Sequence, residues 1–139
     1  MTIEETENEI IEEFEIFEDW MGKYEYLIDL GKSLPMIEDK NKTDNKLIKG
    51  CQSRVWMHSE LKDGKIYFTA DSDAIITKGM VALMIRVLSG HTPDEIINSK
   101  LDFVEKIGLT KHLSPTRSNG LLSMIKQMKL DALAYKQLN

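Results

Sequence analysis

Residues 54–70, RVWMHSELKDGKIYFTA, decide the fold. Val55, Met57, Ser59 and Leu61 alternate with Arg54, Trp56, His58 and Glu60, the period of two that a half-buried strand requires. Asp63-Gly64 follows, a dipeptide suited to a tight primed turn because glycine tolerates positive φ. Ile66, Phe68 and Ala70 then resume the alternation. The pattern predicts an antiparallel hairpin of about 53–61 and 65–71, with room for a third strand beside it.

Working outward, the flanks carry helical periodicity. Ile10, Phe14, Phe17, Met21, Tyr24 and Ile28 step by three or four residues. Thr2 with Glu5 forms a capping box, and the cap candidate Asp19 with Gly22 marks a break, so two helices are expected, roughly 3–17 and 20–32, the second ended by Pro35. Residues 38–46, EDKNKTDNK, hold no apolar side chain and predict a solvated, mobile loop with nothing to pack.

Beyond the hairpin, Ser72-Asp73 supplies caps for a helix through Ile76, Met80, Leu83, Met84, Val87 and Leu88, with Gly90 as its stop. Thr92-Pro93-Asp94-Glu95 opens a short helix, another lies near 102–107 before Gly108, and Ser114-Pro115 opens a last one with Leu121, Ile125, Met128 and Ala132 on one face. Helices, hairpin, helices is an α+β order, with none of the alternating strand–helix units of a parallel sheet. No repeat or linker divides residues 1–139, so one domain is expected.

Composition narrows the function. The chain has 139 residues, 42% hydrophobic and 29% charged, enough to build a sizeable core. No apolar run approaches a bilayer span, and the acidic start is unlike a secretory signal, so no membrane is expected and the cytoplasm is the expected address. Residues 1–19 hold nine acids and no Lys or Arg, leaving 18 bases against 14 acids elsewhere, a net +4. That mild excess is far from a nucleic-acid footprint, so no nucleic acid is expected. His58, His91 and His112 lack close paired spacing, and one cysteine builds neither a disulfide within the chain nor a Cys-rich metal site, so no metal is expected. Gly-rich phosphate loops and the GxSxG elbow are also missing from the sequence.

The one cysteine, Cys51, is the candidate reactive group. A free cysteine ordinarily behaves as a small buried hydrophobe. Here it follows Gly50 and a polar loop, with Lys49 and Arg54 close by in sequence, and their charge predicts a lowered thiol pKa. Arg117 falls in a helix's first turn, where the dipole disfavours a cation, so another task is expected of it, such as holding an anion. Asp73 reads most simply as a helix cap, Lys78 as a solvated charge.

Gly50-Cys51-Gln52-Ser53-Arg54-Val55-Trp56 resembles the cysteine loop of the SufE family, sulfur acceptors that serve cysteine desulfurases. Further blocks agree in order: residues 71–79 (DSDAIITKG), 108–113 (GLTKHL) and 114–121 (SPTRSNGL), with residues 24–35 also similar. Arg54 and Thr77 depart from the glutamine and valine often found at those places in relatives. The resemblance implies a SufE/NifU-like α+β fold, a small antiparallel sheet covered by helices. It also implies that Cys51 takes sulfur from a desulfurase persulfide, stimulates that enzyme, and delivers the sulfur to the scaffold complex for iron–sulfur clusters. By the same carry-over Asp73 and Arg117 lie near the cysteine loop, which Gly50, Gln52 and Ser53 shape. No cofactor is expected on this chain, pyridoxal phosphate belonging to the desulfurase, and a homodimer is left open. The alternatives are an acceptor for a cysteine sulfinate desulfinase, a one-cysteine thiol peroxidase, and a non-catalytic adaptor. The chemistry suits a loop over 38–53 that alternates between a pocketed and an extended cysteine, hinged at Gly50, so that a rigid residue there slows transfer more than it disturbs folding.

Overall fold

A computed structural model describes residues 1–138. Its elements are α1 (Ile3–Glu15), α2 (Trp20–Lys32), β1 (Val55–Lys62), β2 (Lys65–Ser72), α3 (Ile75–Leu88), α4 (Pro93–Asn98), α5 (Phe103–Lys106), α6 (Leu109–His112) and α7 (Pro115–Leu138). The α+β expectation holds. Strands β1 and β2 pair antiparallel from Val55↔Ser72 to Lys62↔Lys65. Asp63 and Gly64 both take positive φ, 53° and 78°, as a primed turn demands. Among the described residues the sheet has two strands. In place of a third strand, single bridges run from Met36 to Ala70, Leu47 to Trp56 and Ile66 to His91.

The hairpin buries Val55, Met57, Ile66, Phe68 and Ala70 on one face, in a core shared with α3 and α7. Helix α3 is the centre of the molecule, with Met80, Val81, Leu83, Met84, Val87 and Leu88 all buried. Helix α2 approaches it backbone to backbone. A Cβ added at Gly79 would strike the Leu27 carbonyl, and one at Gly31 would sit 3.1 Å from the Gly79 nitrogen. Helix α1 is started by the predicted Thr2–Glu5 capping box. Its apolar stripe does not carry through into α2, because the chain breaks at 16–19 and Asp19 caps a new helix through Gly22. Leu27 becomes the core residue of α2, while Met21 is exposed. In α7 Leu121, Met128 and Ala132 are buried as expected, but Met124 rather than Ile125 completes the face.

The first helix owes its place to charge as well as to apolar contact. Arg86 of α3 reaches Glu9 at 2.7 Å and Glu13 at 2.5 Å, and Tyr26 of α2 donates to the same Glu13 carboxylate. Tyr26 also lies edge-on to Phe14, centroids 5.3 Å apart. The Arg86 hydrogen bond holds the Glu13 carboxyl below the usual carboxylate range despite burial. Part of the acidic N-terminal run is therefore an internal clamp between α1, α2 and α3.

Candidate functional site

The segment before the cysteine is not the unpacked loop that its polarity predicts. It forms two 3-10 turns, 39–41 and 44–46, and Lys42 folds back onto the end of the hairpin. The Lys42 ammonium donates to Asp71 at 2.9 Å and lies 4.7 Å from the Trp56 ring centroid. Lys78, expected to be solvated, is a second partner of Asp71 at 3.4 Å. Burial works to raise the Asp71 carboxyl, but hydrogen bonds from Lys42, the Ser72 amide and Lys78 outweigh it and hold the group below its usual range. The polarity of 38–46 hides this because the partner lies 29 positions further along the chain.

After Lys42 the chain is pinned twice around the cysteine. Ile48 is buried and its N–H donates to the Val55 carbonyl at 2.9 Å. The Arg54 N–H donates to the Asp73 carboxylate at 3.1 Å, and the Asp73 N–H returns a bond to the Arg54 carbonyl at 3.3 Å. Asp73 is therefore a clasp on the cysteine loop and not the cap of α3. The N-cap position falls on Ala74, which has no side-chain cap bond, and the Ser72 hydroxyl accepts from the Ala74 N–H instead.

Between those pins Gly50 turns the chain with φ of 93°, a left-handed value that favours glycine. The turn lies hard against α7, since a Cβ there would collide with the Ser123 hydroxyl. A larger residue at Gly50 therefore displaces the resting loop, apart from any stiffening of the hinge expected there. The Cys51 thiol points at the amino-terminal part of α7 and donates to the Gly120 carbonyl at 3.6 Å. Burial pushes the thiol pKa up. This reverses the lowering expected from Lys49 and Arg54, both of which are exposed, leaving desolvation to decide. At rest Cys51 is a protonated, half-buried thiol.

Beside it opens a cavity of about 400 Å³. Cys51, Gln52 and Ser53 form one wall, Thr77 and Met80 of α3 a second, and the start of α7 with Arg117, Gly120 and Met124 a third. The Ser114 hydroxyl caps α7, accepting from the Arg117 N–H at 3.3 Å. The structure thus brings Gly50, Cys51, Gln52, Ser53, Asp73 and Arg117 to one place, Asp73 through its hold on Arg54 and the others around the cavity or its turn. Sequence reading missed the methionine floor of Met80 and Met124 and the Ser123 backstop, which announce themselves only once α3 and α7 are packed together. Among the described residues no cluster of His, Cys, Asp and Glu is fit to hold a metal ion, and no helix is long and apolar enough to cross a membrane. His112 stacks on Trp20 at 3.9 Å, a packing role.

Comparison with known proteins follows the same lines. A family model described as SufE, an Fe-S metabolism associated domain, matches residues 8–132. An uncharacterized SufE-like protein of Synechocystis sp. is 41% identical over 128 residues, 91% of this chain and 80% of its own. One of Rhizobium meliloti is 38% identical over 130 residues, 90% of this chain and 93% of its own. SufE-like protein 1, chloroplastic/mitochondrial, of Arabidopsis thaliana is 38% identical over 126 residues, 90% of this chain but 34% of that longer protein. The solution structure of a hypothetical protein from Thermus thermophilus shares the fold, with a TM-score of 0.77 over 93% of this chain and 94% of that one at 17% identity. With the family model spanning nearly the whole chain and relatives aligned over most of its length, the protein belongs to the SufE family.

Proposed function

We propose that this chain is a covalent sulfur carrier in iron–sulfur metabolism, with Cys51 as the carrying group. The observation that supports it most is the placement of Cys51: a single thiol on a short clasped loop, half-buried, facing a cavity large enough for an added sulfur atom. In the proposed step the Cys51 thiolate attacks the outer sulfur of a persulfide on a donor enzyme. A new S–S bond forms on Cys51, the donor's S–S bond breaks, and the electron pair stays with the donor cysteine, which leaves as a thiolate. No oxidant is consumed. The resting thiol is protonated, so the carrier turns nucleophilic when a partner draws the loop out of its half-buried seat. A one-cysteine peroxidase needs its thiolate at rest, and the raised thiol favours the relay over that reading.

The donor in this reading is a cysteine desulfurase, or a cysteine sulfinate desulfinase, which brings its own pyridoxal phosphate and is stimulated by removal of its sulfur. The recipient is the cluster scaffold complex, and the relay works in the cytoplasm. The test is the intact mass after incubation with a cysteine desulfurase and free cysteine. A gain of about 32 daltons per sulfur, reversed by a thiol reductant and absent in Cys51→Ser, is expected. An unchanged mass beside a competent desulfurase overturns the reading.

A further inference from the structure

The cavity beside Cys51 carries more polar chemistry than holding a thiol requires. Thr77 is 6% exposed and lines the cavity, yet among the described residues its hydroxyl has no hydrogen-bond partner. The oxygen is not sealed off: it opens to the cavity and is left to bond whatever fills that space. Arg117, Thr116 and Ser114 line the same cavity, at the amino-terminal end of the 24-residue helix α7. The helix dipole adds positive potential there. No carboxylate lines this cavity among the described residues. A fixed fork of donors, several hydroxyls, a helix start and a neutral thiol together suit a small oxyanion held within reach of a sulfur atom.

We propose that the cavity binds a small sulfur oxyanion, sulfite or thiosulfate, and lets Cys51 exchange its outer sulfur with it. The inference rests on the reading of Cys51 as a persulfide carrier. Sulfite's sulfur lone pair attacks the outer sulfur of the Cys51 persulfide and forms the S–S bond of thiosulfate. The bond from Cys51 to that outer sulfur breaks, its electron pair stays on Cys51, and the thiolate takes up a proton. Sulfite is oxidised and the persulfide reduced, so no further reagent enters, and the reverse direction loads Cys51 from thiosulfate. Arg117 offsets the repulsion between the two anions, and the Thr77 hydroxyl orients the oxyanion.

The test starts from protein loaded by a desulfurase and cysteine, freed of that enzyme, and checked for the mass gain of about 32 daltons. Sulfite is then added in a single turnover. The mass gain is expected to disappear with one equivalent of thiosulfate formed, at a rate that saturates with sulfite. Thr77→Val and Arg117→Gln are expected to raise the half-saturating sulfite concentration at least about fivefold, and Thr77→Ser, which keeps the hydroxyl, to restore it. A rate strictly linear in sulfite, or Thr77→Val and Arg117→Gln variants that behave as the parent, overturns the oxyanion site. Absence of the mass gain at the loading step counts against the carrier reading alone. The site is then read separately, by protection of Cys51 from iodoacetamide with sulfate, which binds but cannot accept sulfur. Protection weakened by Thr77→Val supports the site, and no protection overturns it.

Discussion

Cys51 is held back by its surroundings. Half-buried and donating to the Gly120 carbonyl, it keeps its proton at neutral pH. Alkylation by iodoacetamide at pH 7 is therefore expected to run several-fold slower than for free cysteine, with a pH midpoint above that of an unfolded control. The sign for stability follows from the same shift. The folded protein favours the neutral thiol, so this contribution is present in full below the unfolded thiol pKa and is lost as pH rises through the raised folded value. Cys51→Ala should flatten the alkaline decline in urea-unfolding stability, and an unchanged alkaline limb would show that the thiol is not the group responsible. At this scale the sequence pointed to Cys51, Gly50 and Arg117, and the fold gathers them around one cavity and its turn. It misled on the thiol pKa, because nearness along the chain to Lys49 and Arg54 says nothing of desolvation, which depends on α7 more than sixty positions away. It also misled on Asp73, whose carboxylate takes the Arg54 N–H instead of a helix N–H.

The segment before the cysteine is the element that links the site to the frame. Lys42 ties it to Asp71 and covers Trp56, while Lys78 of α3 shares the same carboxylate. Lys42→Met keeps most of the side chain's bulk but removes the ion pair. Because Lys78 stays to satisfy Asp71, the expected loss of stability is only about 1–2 kcal/mol. The expected gain in Cys51 alkylation rate is about threefold, as fewer ties hold the loop closed. Denaturant melts and alkylation kinetics on the same protein separate the two effects, and a loss of stability with unaltered Cys51 reactivity would show that the strap does not govern the loop. Elements whose signals are local, the hairpin with its Asp63-Gly64 turn and the capped helices α1, α2 and α4, were legible to within a residue or two. The 38–46 segment was not, since no apolar periodicity marks a stretch fixed by one long-range ion pair. Among the described residues no third strand forms either, the sheet edges being closed by single bridges.

At the scale of the whole molecule, α3 is the hub and Arg86 is its tie to the acidic first helix. Arg86→Met strands Glu9 and Glu13 beside one another and is expected to lower stability by about 1–3 kcal/mol, with faster amide exchange concentrated in α1. The Glu13 carboxyl is held low by Arg86, so its contribution is present above the unfolded carboxylate pKa and is lost as pH falls through the folded value. The parent should therefore lose stability on acidification more steeply than Arg86→Met, and parallel acid limbs would exclude Glu13 as the titrating group. The clasps at Ile48–Val55 and Arg54–Asp73 have a last consequence, one of reach. Only residues 49–53 lie between the pinned Ile48 and Arg54, and an extended chain advances about 3.5 Å per residue. Running out and back, such a tether carries the Cys51 Cα no more than about 10 Å from its neck. In the proposed relay a partner therefore cannot wait at a distance for the sulfur: it would bring its own reactive cysteine to the surface of this protein, on a projecting loop or at the rim of a shallow opening.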